Sequence, residues 1–254
     1  MSSSAVHQNH EPPLPDENHV VGLPSATEIV ERYERLEVEE HPFFVDLIAR
    51  PVDMGALWLL MANLRAGISR DFVVWLALTI ARVEDRRIGS LVAKQLHDEL
   101  GSGDARRIHS LLLDKFVTAL EPWQLEGRPG QWLHAGERLL EEAGAPFHAE
   151  HPYEGVGALI TGEIFANKMD RCLGDQVRRQ SQLSDEALTW LTIHETLEAH
   201  HADDSGALAL LVPTAGPALA ATWRGAEAQW ACLWNFLDRL QRARLEQLSV
   251  GKSS

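Results

Sequence analysis

The chain has 254 residues, of which 45% are hydrophobic, and this is enough for one large domain with a packed core. Its net charge of −14 at pH 7 disfavours contact with phosphate backbones and anionic lipid, so we expect neither a nucleic acid nor a membrane as a partner. The two cysteines, Cys172 and Cys232, are not part of a Cys-x-x-Cys motif, and so few thiols predict a reduced, cytoplasmic protein.

The two ends of the chain differ in composition from its middle. Residues 1–24 are polar and proline-rich and lack the basic and apolar regions of a signal peptide, so we expect them to be disordered. Residues 25–247 are predicted to form one domain, and residues 248–254 a flexible tail. Because no run of about 18 apolar residues is present, no transmembrane helix is predicted.

The first half of the domain is predicted to be helical. The first helix begins at a cap, Ser25 or Thr27, and is expected to run to about Glu40, before a His-Pro pair. Apolar residues at helical spacing predict further helices over residues 43–49, 54–64, 72–83 and 88–99. After a Gly-Ser-Gly break, Asp104 is the predicted cap of a helix over residues 105–120.

The second half is also predicted to be helical. It is expected to contain a loop over residues 126–130, short helices over 131–143, an irregular stretch over 144–152, a helix over 153–180, a helix starting at 184–186 and a last helix over 213–247. Trp223, Trp230 and Trp234 lie near one face of that last helix and are predicted to belong to the core. Since no alternating strand and no repeat is found, the fold class is all-α, a single-domain helical bundle.

A possible metal site lies in the segment WLTIHETLEAHH. His194, Glu198 and His201 are spaced i, i+4 and i+7, so they share one face of a helix. Imidazole and carboxylate ligands without thiolate suit iron, manganese or zinc. The segment is not a zincin, because that motif needs His-Glu-x-x-His and the fifth position here is Glu198. It is not a ferritin-like site either, because only Glu198 and His201 form a Glu-x-x-His pair.

A second candidate ligand lies in the predicted helix over 153–180. Val156, Ile160 and Glu163 are spaced i, i+4 and i+7, so Glu163 is expected to point where the apolar residues point. Such a carboxylate needs a cation or several hydrogen-bond donors, because burying it bare costs too much free energy. Glu154 lies half a turn out of phase and is expected to be solvated.

A third candidate is His109, which precedes a run of leucines on an amphipathic helix. A lone histidine in such a place is more often a hydrogen-bonded core residue than a ligand. The same region offers His97, Asp98 and Glu99 just before the Gly-Ser-Gly break. The break prevents helical phase from choosing among these residues.

Three segments together resemble a known family, namely DELGSGDARRIH, GEIFANKM and HETLEAHH at residues 98–109, 162–169 and 194–201. They are similar to the haem-oxygenase-like diiron oxidases, also called iron-containing redox enzymes, and the resemblance covers most of residues 41–240. Members of that family carry a His-x3-Asp/Glu-x2-His motif, with a bridging Glu about thirty residues before it and another His about fifty-five residues before that Glu. In this chain Glu163 lies 31 residues before His194, and His109 lies 54 residues before Glu163.

The resemblance implies a haem-oxygenase-like fold and two ferrous ions per chain. The implied ligands are Glu99, His109, Glu163, His194, Glu198 and His201, with Glu163 and Glu198 as bridges. Asp98 competes with Glu99 as the first carboxylate, and Glu84, on the preceding helix, is an alternative extra carboxylate. Glu198 departs from the Asp that many members have at this position.

The resemblance also implies an O2-dependent enzyme that acts on a small molecule. We expect N-oxygenation of an amine in specialised metabolite biosynthesis. Oxidative decarboxylation, C–C fragmentation or desaturation of an amino acid or fatty acid are the alternatives within the family. The oligomeric state stays open, and a homodimer is one alternative.

Other function classes compete with the diiron reading. A metal-free helical binding protein or TenA-like enzyme of the same fold would bind thiamin fragments or quinone precursors. Such an enzyme would act through a cysteine nucleophile or a ring of histidines, and neither cysteine has an obvious base beside it in sequence. A haem protein would need one proximal histidine and would leave the carboxylates unexplained.

Overall fold

The computed structural model describes residues 22–127, 130, 132–180 and 182–250, with the backbone alone for residues 175, 180, 195–202 and 250. Every regular element in this part of the chain is helical. The α-helices are α1 (Ala26–Glu34), α2 (Pro42–Leu47), α3 (Met54–Gly67), α4 (Phe72–Arg82), α5 (Arg86–Glu99), α6 (His109–Leu120), α7 (His134–His148), α8 (Tyr153–Gln180), α9 (Thr189–Leu211) and α10 (Pro217–Val250). Short 3₁₀ turns span Val38–Glu40, Ala105–Arg107 and Glu121–Trp123. The predicted all-α fold class is confirmed.

Helix α8 is the central element, and it packs against α9 on one side and α10 on another. The backbones of α8 and α10 touch, because a Cβ built on Gly157 would overlap the carbonyl oxygen of Thr222. One turn later the hydroxyl of Thr161 donates to the Ala226 carbonyl oxygen at 3.1 Å. Because the partners advance together along both helices, α8 and α10 run parallel here.

The core continues from this crossing along α10. Trp223 and Trp230 are buried, and the Trp230 ring contacts Phe165 of α8 at a centroid distance of 5.3 Å. Trp234 packs beside Trp230, with ring centroids 6.5 Å apart. These tryptophans therefore belong to the core, as predicted. No helix in the described ranges is long and apolar enough to cross a lipid bilayer.

The first helix is shorter than predicted, because a second helix with its own cap, His41, follows it. Helix α1 ends at Glu34 rather than near Glu40, and residues 38–40 form a separate 3₁₀ turn. The predicted stop at Pro42 is instead a start, since Pro42 is the first residue of α2 and the His41 side chain accepts from the Phe43 amide. Proline suits this first position because its missing N–H would have no partner in the helix.

The prediction of one helix over residues 105–120 is also wrong. The Asp104 carboxylate accepts from the Arg106 amide and closes a 3₁₀ turn over residues 105–107. Ile108 is extended, with φ −61° and ψ 120°, and α6 begins only at His109. The side chain of Asp104 therefore stabilises a turn in competition with the helix.

Residues 144–148, predicted to be irregular, extend α7. This helix is one element from His134 to His148 and contains both Gly144 and Pro146. Gly144 faces the ring of Trp75, and Trp75 stacks on Phe147 with centroids 5.2 Å apart. Tertiary packing thus overrides the low helix propensity of this segment.

The last two helices start later than predicted. Ser184 caps a turn through its contact with the Ala187 amide, and α9 begins at Thr189. Helix α10 begins at Pro217, directly after Gly216, whose φ of +85° lies in the left-handed region. The positive φ ends the preceding turn at no steric cost for glycine.

Candidate metal centre

His194 is held in a defined orientation inside the bundle. It lies on α9 with 8% of its surface exposed, and its Nδ1 donates to the Trp190 carbonyl oxygen at 2.8 Å. The proton on Nδ1 leaves the lone pair on Nε2, which is the arrangement that metal-binding histidines use. The Trp190 ring lies 4.0 Å from the His194 ring between centroids and fixes the imidazole plane.

His109 and Glu99 approach each other across the break between α5 and α6. Glu99 is the last residue of α5, and His109 is the first residue of α6. Gly101 makes this approach possible, because its φ is +83° and a Cβ there would overlap the Asp104 carbonyl oxygen. The Gly-Ser-Gly segment that obscures helical phase therefore brings the two side chains together.

The contact between these two residues is not a hydrogen bond. The Nδ1 of His109 lies 3.0 Å from Oε1 of Glu99, yet it has no hydrogen-bond partner of acceptable geometry among the described residues. His109 is buried, with 4% of its surface exposed. Because two acceptor atoms converge without a shared proton in good geometry, the pair suits a cation placed between them.

His194 completes this cluster. Its ring centroid is 4.6 Å from that of His109, and one ligand atom from each of Glu99, His109 and His194 lies within 4.8 Å of the other two. Two imidazoles and a carboxylate in a buried place form a donor set suited to iron, manganese or zinc. The residues present thus fit a metal ion of the kind that the sequence predicts.

Glu163 lies beside the cluster on α8. It has 6% of its surface exposed, as its predicted inward orientation requires, and the amide Nε2 of Gln95 on α5 donates to its Oε1. Gln95 is itself buried and neutral, so it orients the carboxylate without cancelling its charge. The structure therefore brings Glu163 into the same cavity wall as Glu99, His109 and His194.

The remaining candidate residues are placed differently. Glu198 and His201 lie on α9, but their side chains fall outside the described part of the chain. Asp98 accepts a hydrogen bond from the Ser102 hydroxyl at 2.8 Å, and it does not line the cavity. Glu84 is exposed in the connection after α4, so its predicted place on a helix is wrong. Glu154 is not simply solvated, because it pairs with Arg224 at 2.9 Å.

A cavity of about 130 Å³ opens beside the cluster. Its wall is largely apolar and is built by side chains from several helices, among them Leu64, Phe72, Trp75, Leu113, Phe147, Phe165, Met169, Trp190 and Phe236. No lysine or arginine lines it within the described ranges. An apolar cavity with a few convergent polar groups is typical of a small-molecule site.

Sequence reasoning did not single out Gln95, Asp170 and Gln229, which also belong to this site. Asp170 and Gln229 line the cavity with 1% and 6% of their surfaces exposed. Asp170 lies seven residues after Glu163, so the same helical spacing that selects Glu163 would have indicated it. Nothing in the sequence around Gln95 or Gln229 distinguishes them from solvated glutamines.

The two thiols are not activated. Burial raises the pKa of Cys172 to about 11 and that of Cys232 to about 12. Both thiols therefore stay protonated at neutral pH and are poor nucleophiles. This result argues against the metal-free reading that would use a cysteine nucleophile.

Comparison with known proteins supports an iron enzyme of this fold. The family described as iron-containing redox enzyme matches residues 61–234. The chain is similar to a solved structure of a domain of unknown function with a haem oxygenase-like fold from Shewanella denitrificans OS217, at a TM-score of 0.64 and 15% identity over 86% of this chain and 90% of that one. No curated protein matches the sequence significantly.

At 15% identity the structural likeness shows the fold alone, which is haem-oxygenase-like as the sequence resemblance implies. The family match covers more than half of the chain and includes Glu99, His109, Glu163 and His194. This match shows that the chain belongs to the family of iron-containing redox enzymes, and the geometry of the cluster agrees with it.

Proposed function

We propose that the chain is a non-haem diiron oxidoreductase that uses O2 to oxidise a small nitrogen-containing molecule. The proposed ligands of the two ferrous ions are Glu99, His109, Glu163, His194, Glu198 and His201. The observation that carries the proposal is the convergence of Glu99, His109 and His194 within 4.8 Å in a buried place, with Glu163 beside them. The family match supports iron as the metal.

The arrangement of neighbouring groups supports ligation by these atoms. The Trp190 carbonyl oxygen accepts the proton on Nδ1 of His194. The Nε2 atom of His194 therefore carries the lone pair that can bind a metal. Gln95 holds one oxygen of Glu163 and leaves the carboxylate its negative charge. Bound ferrous iron would supply the electrons that reduce O2, while the protein positions the substrate and excludes water.

The walls of the cavity exclude water from the site. Trp75, Phe147 and Phe165 are buried aromatic residues that line it, so water has few hydrogen-bond partners there. The substrate would be held against these walls next to the carboxylates. N-oxygenation of an amine is the proposed reaction, and oxidative decarboxylation, C–C fragmentation and desaturation remain the alternatives.

The test is an anaerobic titration of the full chain with Fe(II), followed by mixing with O2. We expect two irons per chain, and O2 uptake that depends on an amine from a panel of amines, amino acids and fatty acids. Zn(II) loading is the control, and it should give no turnover. Turnover without O2, turnover with zinc alone, or saturation at fewer than two irons would contradict the proposal.

A further inference from the structure

A carboxamide lies in the cavity wall just beyond the crossing of α8 and α10. Gln229 is on α10, three residues after Ala226, whose carbonyl oxygen accepts from the Thr161 hydroxyl. The residue after Thr161 is Gly162, and a Cβ built there would lie 3.8 Å from both Cγ and Nε2 of Gln229. The close contact of the two helices therefore fixes the Gln229 side chain in the wall, and the glycine leaves room beside it.

This carboxamide is buried without a hydrogen bond to its oxygen. Gln229 has 6% of its surface exposed, and its Oε1 has no hydrogen-bond partner among the described residues. Rotation about the last torsion of a glutamine exchanges its oxygen and nitrogen, so the group can meet a donor as well as an acceptor. A buried polar group without a partner costs free energy. Because Gln229 lines the cavity, a ligand there can supply the hydrogen bond.

Small residues of α8 provide the space beside the carboxamide. Ala158, Gly162 and Ala166 are spaced i, i+4 and i+8, so they share one face of the helix, and all three line the cavity. Phe165 and Met169 add apolar surface to the same wall. Hydrocarbon can therefore pack against this face of α8. A ligand that fits here combines an apolar body with a hydrogen-bonding group.

We infer that Gln229 determines the substrate specificity of the cavity, which takes a small, largely apolar molecule with an N–H or O–H group that hydrogen-bonds to the Gln229 carboxamide. The apolar body packs on Ala158, Gly162 and Ala166. The inference rests on the proposed function in treating the cavity as the substrate site, and it adds the residue that recognises the substrate. Gly162 directly precedes the proposed iron ligand Glu163, so the recognised group is held close to the proposed metal site.

Phenol and toluene are the probes that test this hydrogen bond. The cavity volume is about 130 Å³, and an engineered apolar cavity of about 150 Å³ holds benzene, so molecules of this size are suitable. The two probes differ only in a hydroxyl group against a methyl group, and phenol, like a tyrosine side chain, is uncharged at neutral pH. Their affinities are measured by calorimetry on the full, Fe(II)-loaded chain under argon, and the iron content of each sample is determined.

The carboxamide should reverse the ranking expected of a purely apolar cavity. A hydroxyl group costs more free energy to take out of water than a methyl group, so an apolar cavity without a polar partner prefers toluene. We expect the wild-type chain to bind phenol at least as tightly as toluene. Gln229→Met keeps the length of the side chain and removes both polar atoms. It should bind phenol about tenfold more weakly than the wild-type chain and toluene within about twofold of it.

The same variant separates recognition from a structural role. If the Gln229 carboxamide has no partner in the fold, an apolar side chain of similar shape does not destabilise the protein, so the urea midpoint of Gln229→Met should equal or exceed that of the wild-type chain. Gln241→Met, on the same helix but outside the cavity, is the matched control. Because Nε2 of Gln241 donates to Asp46 at 2.8 Å, this variant should have a lower midpoint and keep the wild-type ratio of the two affinities.

Three results would overturn the inference. They are tighter binding of toluene than of phenol by the wild-type chain, an equal ratio of the two affinities in Gln229→Met and the wild-type chain, and a lower urea midpoint for Gln229→Met. The second would mean that another group binds the hydroxyl, and the third would give Gln229 a structural role. The wild-type ranking needs no variant, so it decides the question even where Gln229→Met does not fold. Failure of the proposed function is read separately, from the iron content and the uptake of O2.

Discussion

The imidazoles of His109 and His194 are the side chains on which metal binding should depend most. Both are buried and contribute to the three-residue cluster. We expect His109→Ala and His194→Ala each to lower the affinity for Fe(II) by about 100-fold or more, because even supporting partners of a metal ligand contribute 10–100-fold. Iron analysis on folded protein, checked by circular dichroism, measures the change.

The matched control is His134→Ala, since His134 is exposed on α7 and pairs with Glu137. Its iron content should equal that of the wild-type chain. His201→Ala is expected to lose iron as well, which tests a ligand whose side chain the structure does not describe. Equal iron occupancy in His194→Ala and the wild-type chain would rule out the ligand assignment.

Alanine substitutions of two glutamates on α8 should affect iron binding differently. Glu163 faces the cavity and accepts from Gln95, whereas Glu154 pairs with Arg224 elsewhere. We expect Glu163→Ala to abolish the second iron equivalent and O2 uptake, while Glu154→Ala keeps both. Anaerobic Fe(II) titration of the two variants measures this difference. If Glu154→Ala is the variant that loses iron, the assigned face of α8 is wrong.

His41 should make the stability of the protein depend on pH. Burial lowers the pKa of His41 from its ordinary value of 6.5, although Asp238 nearby acts in the opposite direction. The unfolded chain therefore takes up this proton first as the pH falls. The stability that His41 contributes is fully present above pH 6.5 and is lost as the pH falls through the lower pKa of the folded state.

The variant His41→Asn isolates this contribution. Asparagine can still accept from the Phe43 amide as the cap of α2, but it does not titrate. Urea denaturation at pH 7 and pH 5 should show a smaller loss of unfolding free energy for His41→Asn than for the wild-type chain. The other histidines titrate in both proteins, so equal losses would contradict the prediction.

At the scale of elements, the crossing of α8 and α10 depends on two small residues. A Cβ on Gly157 would overlap the Thr222 carbonyl oxygen, and a Cβ on Gly225 would overlap that of Glu154. Backbone cannot move aside as a flexible side chain does, so we expect Gly157→Ala to cost about 3 kcal/mol of unfolding free energy. Chemical denaturation measures the cost.

Gly89 provides the matched control for that substitution. It lies within α5, and a Cβ built on it meets nothing within 4 Å. Gly89→Ala should therefore gain about 0.5–1 kcal/mol from helix propensity. A destabilised Gly89→Ala together with a tolerated Gly157→Ala would refute the close approach of the two backbones.

Helix boundaries show which local signals the sequence carries. Met54 and Tyr153 begin helices where the apolar spacing predicts them, because the periodicity is set by burial of one face. The prediction failed at Pro42, Asp104 and Gly144. At Pro42 the His41 cap starts a new helix, and at Asp104 a side-chain turn takes the place of the first helical turn. At Gly144 the stacked rings of Trp75 and Phe147 hold the segment in α7.

At the scale of the whole molecule, a bound metal would join four helices. Glu99, His109, Glu163 and His194 come from α5, α6, α8 and α9. Binding to the folded state alone stabilises it by about 2.7 kcal/mol at a free Fe(II) concentration of 100 times the dissociation constant. For a domain of this size, that energy raises the melting temperature by about 5–10 °C.

Differential scanning calorimetry under argon, with Fe(II) or with EDTA, measures the shift. The same experiment on His194→Ala should show little change, since one ligand of the cluster is removed. An equal shift in His194→Ala and the wild-type chain would mean that iron binds elsewhere in the molecule.

The sequence by itself determined the helical class, the family and the facing of Glu163 and His194, because helical spacing fixes which residues share a face. The tertiary structure alone decided that Glu99 meets His109 across Gly101, that Gln95 holds Glu163, and that Asp170 and Gln229 face the cavity. These contacts join residues on different helices. They follow from how the helices pack, and no local periodicity encodes the distance between two helices.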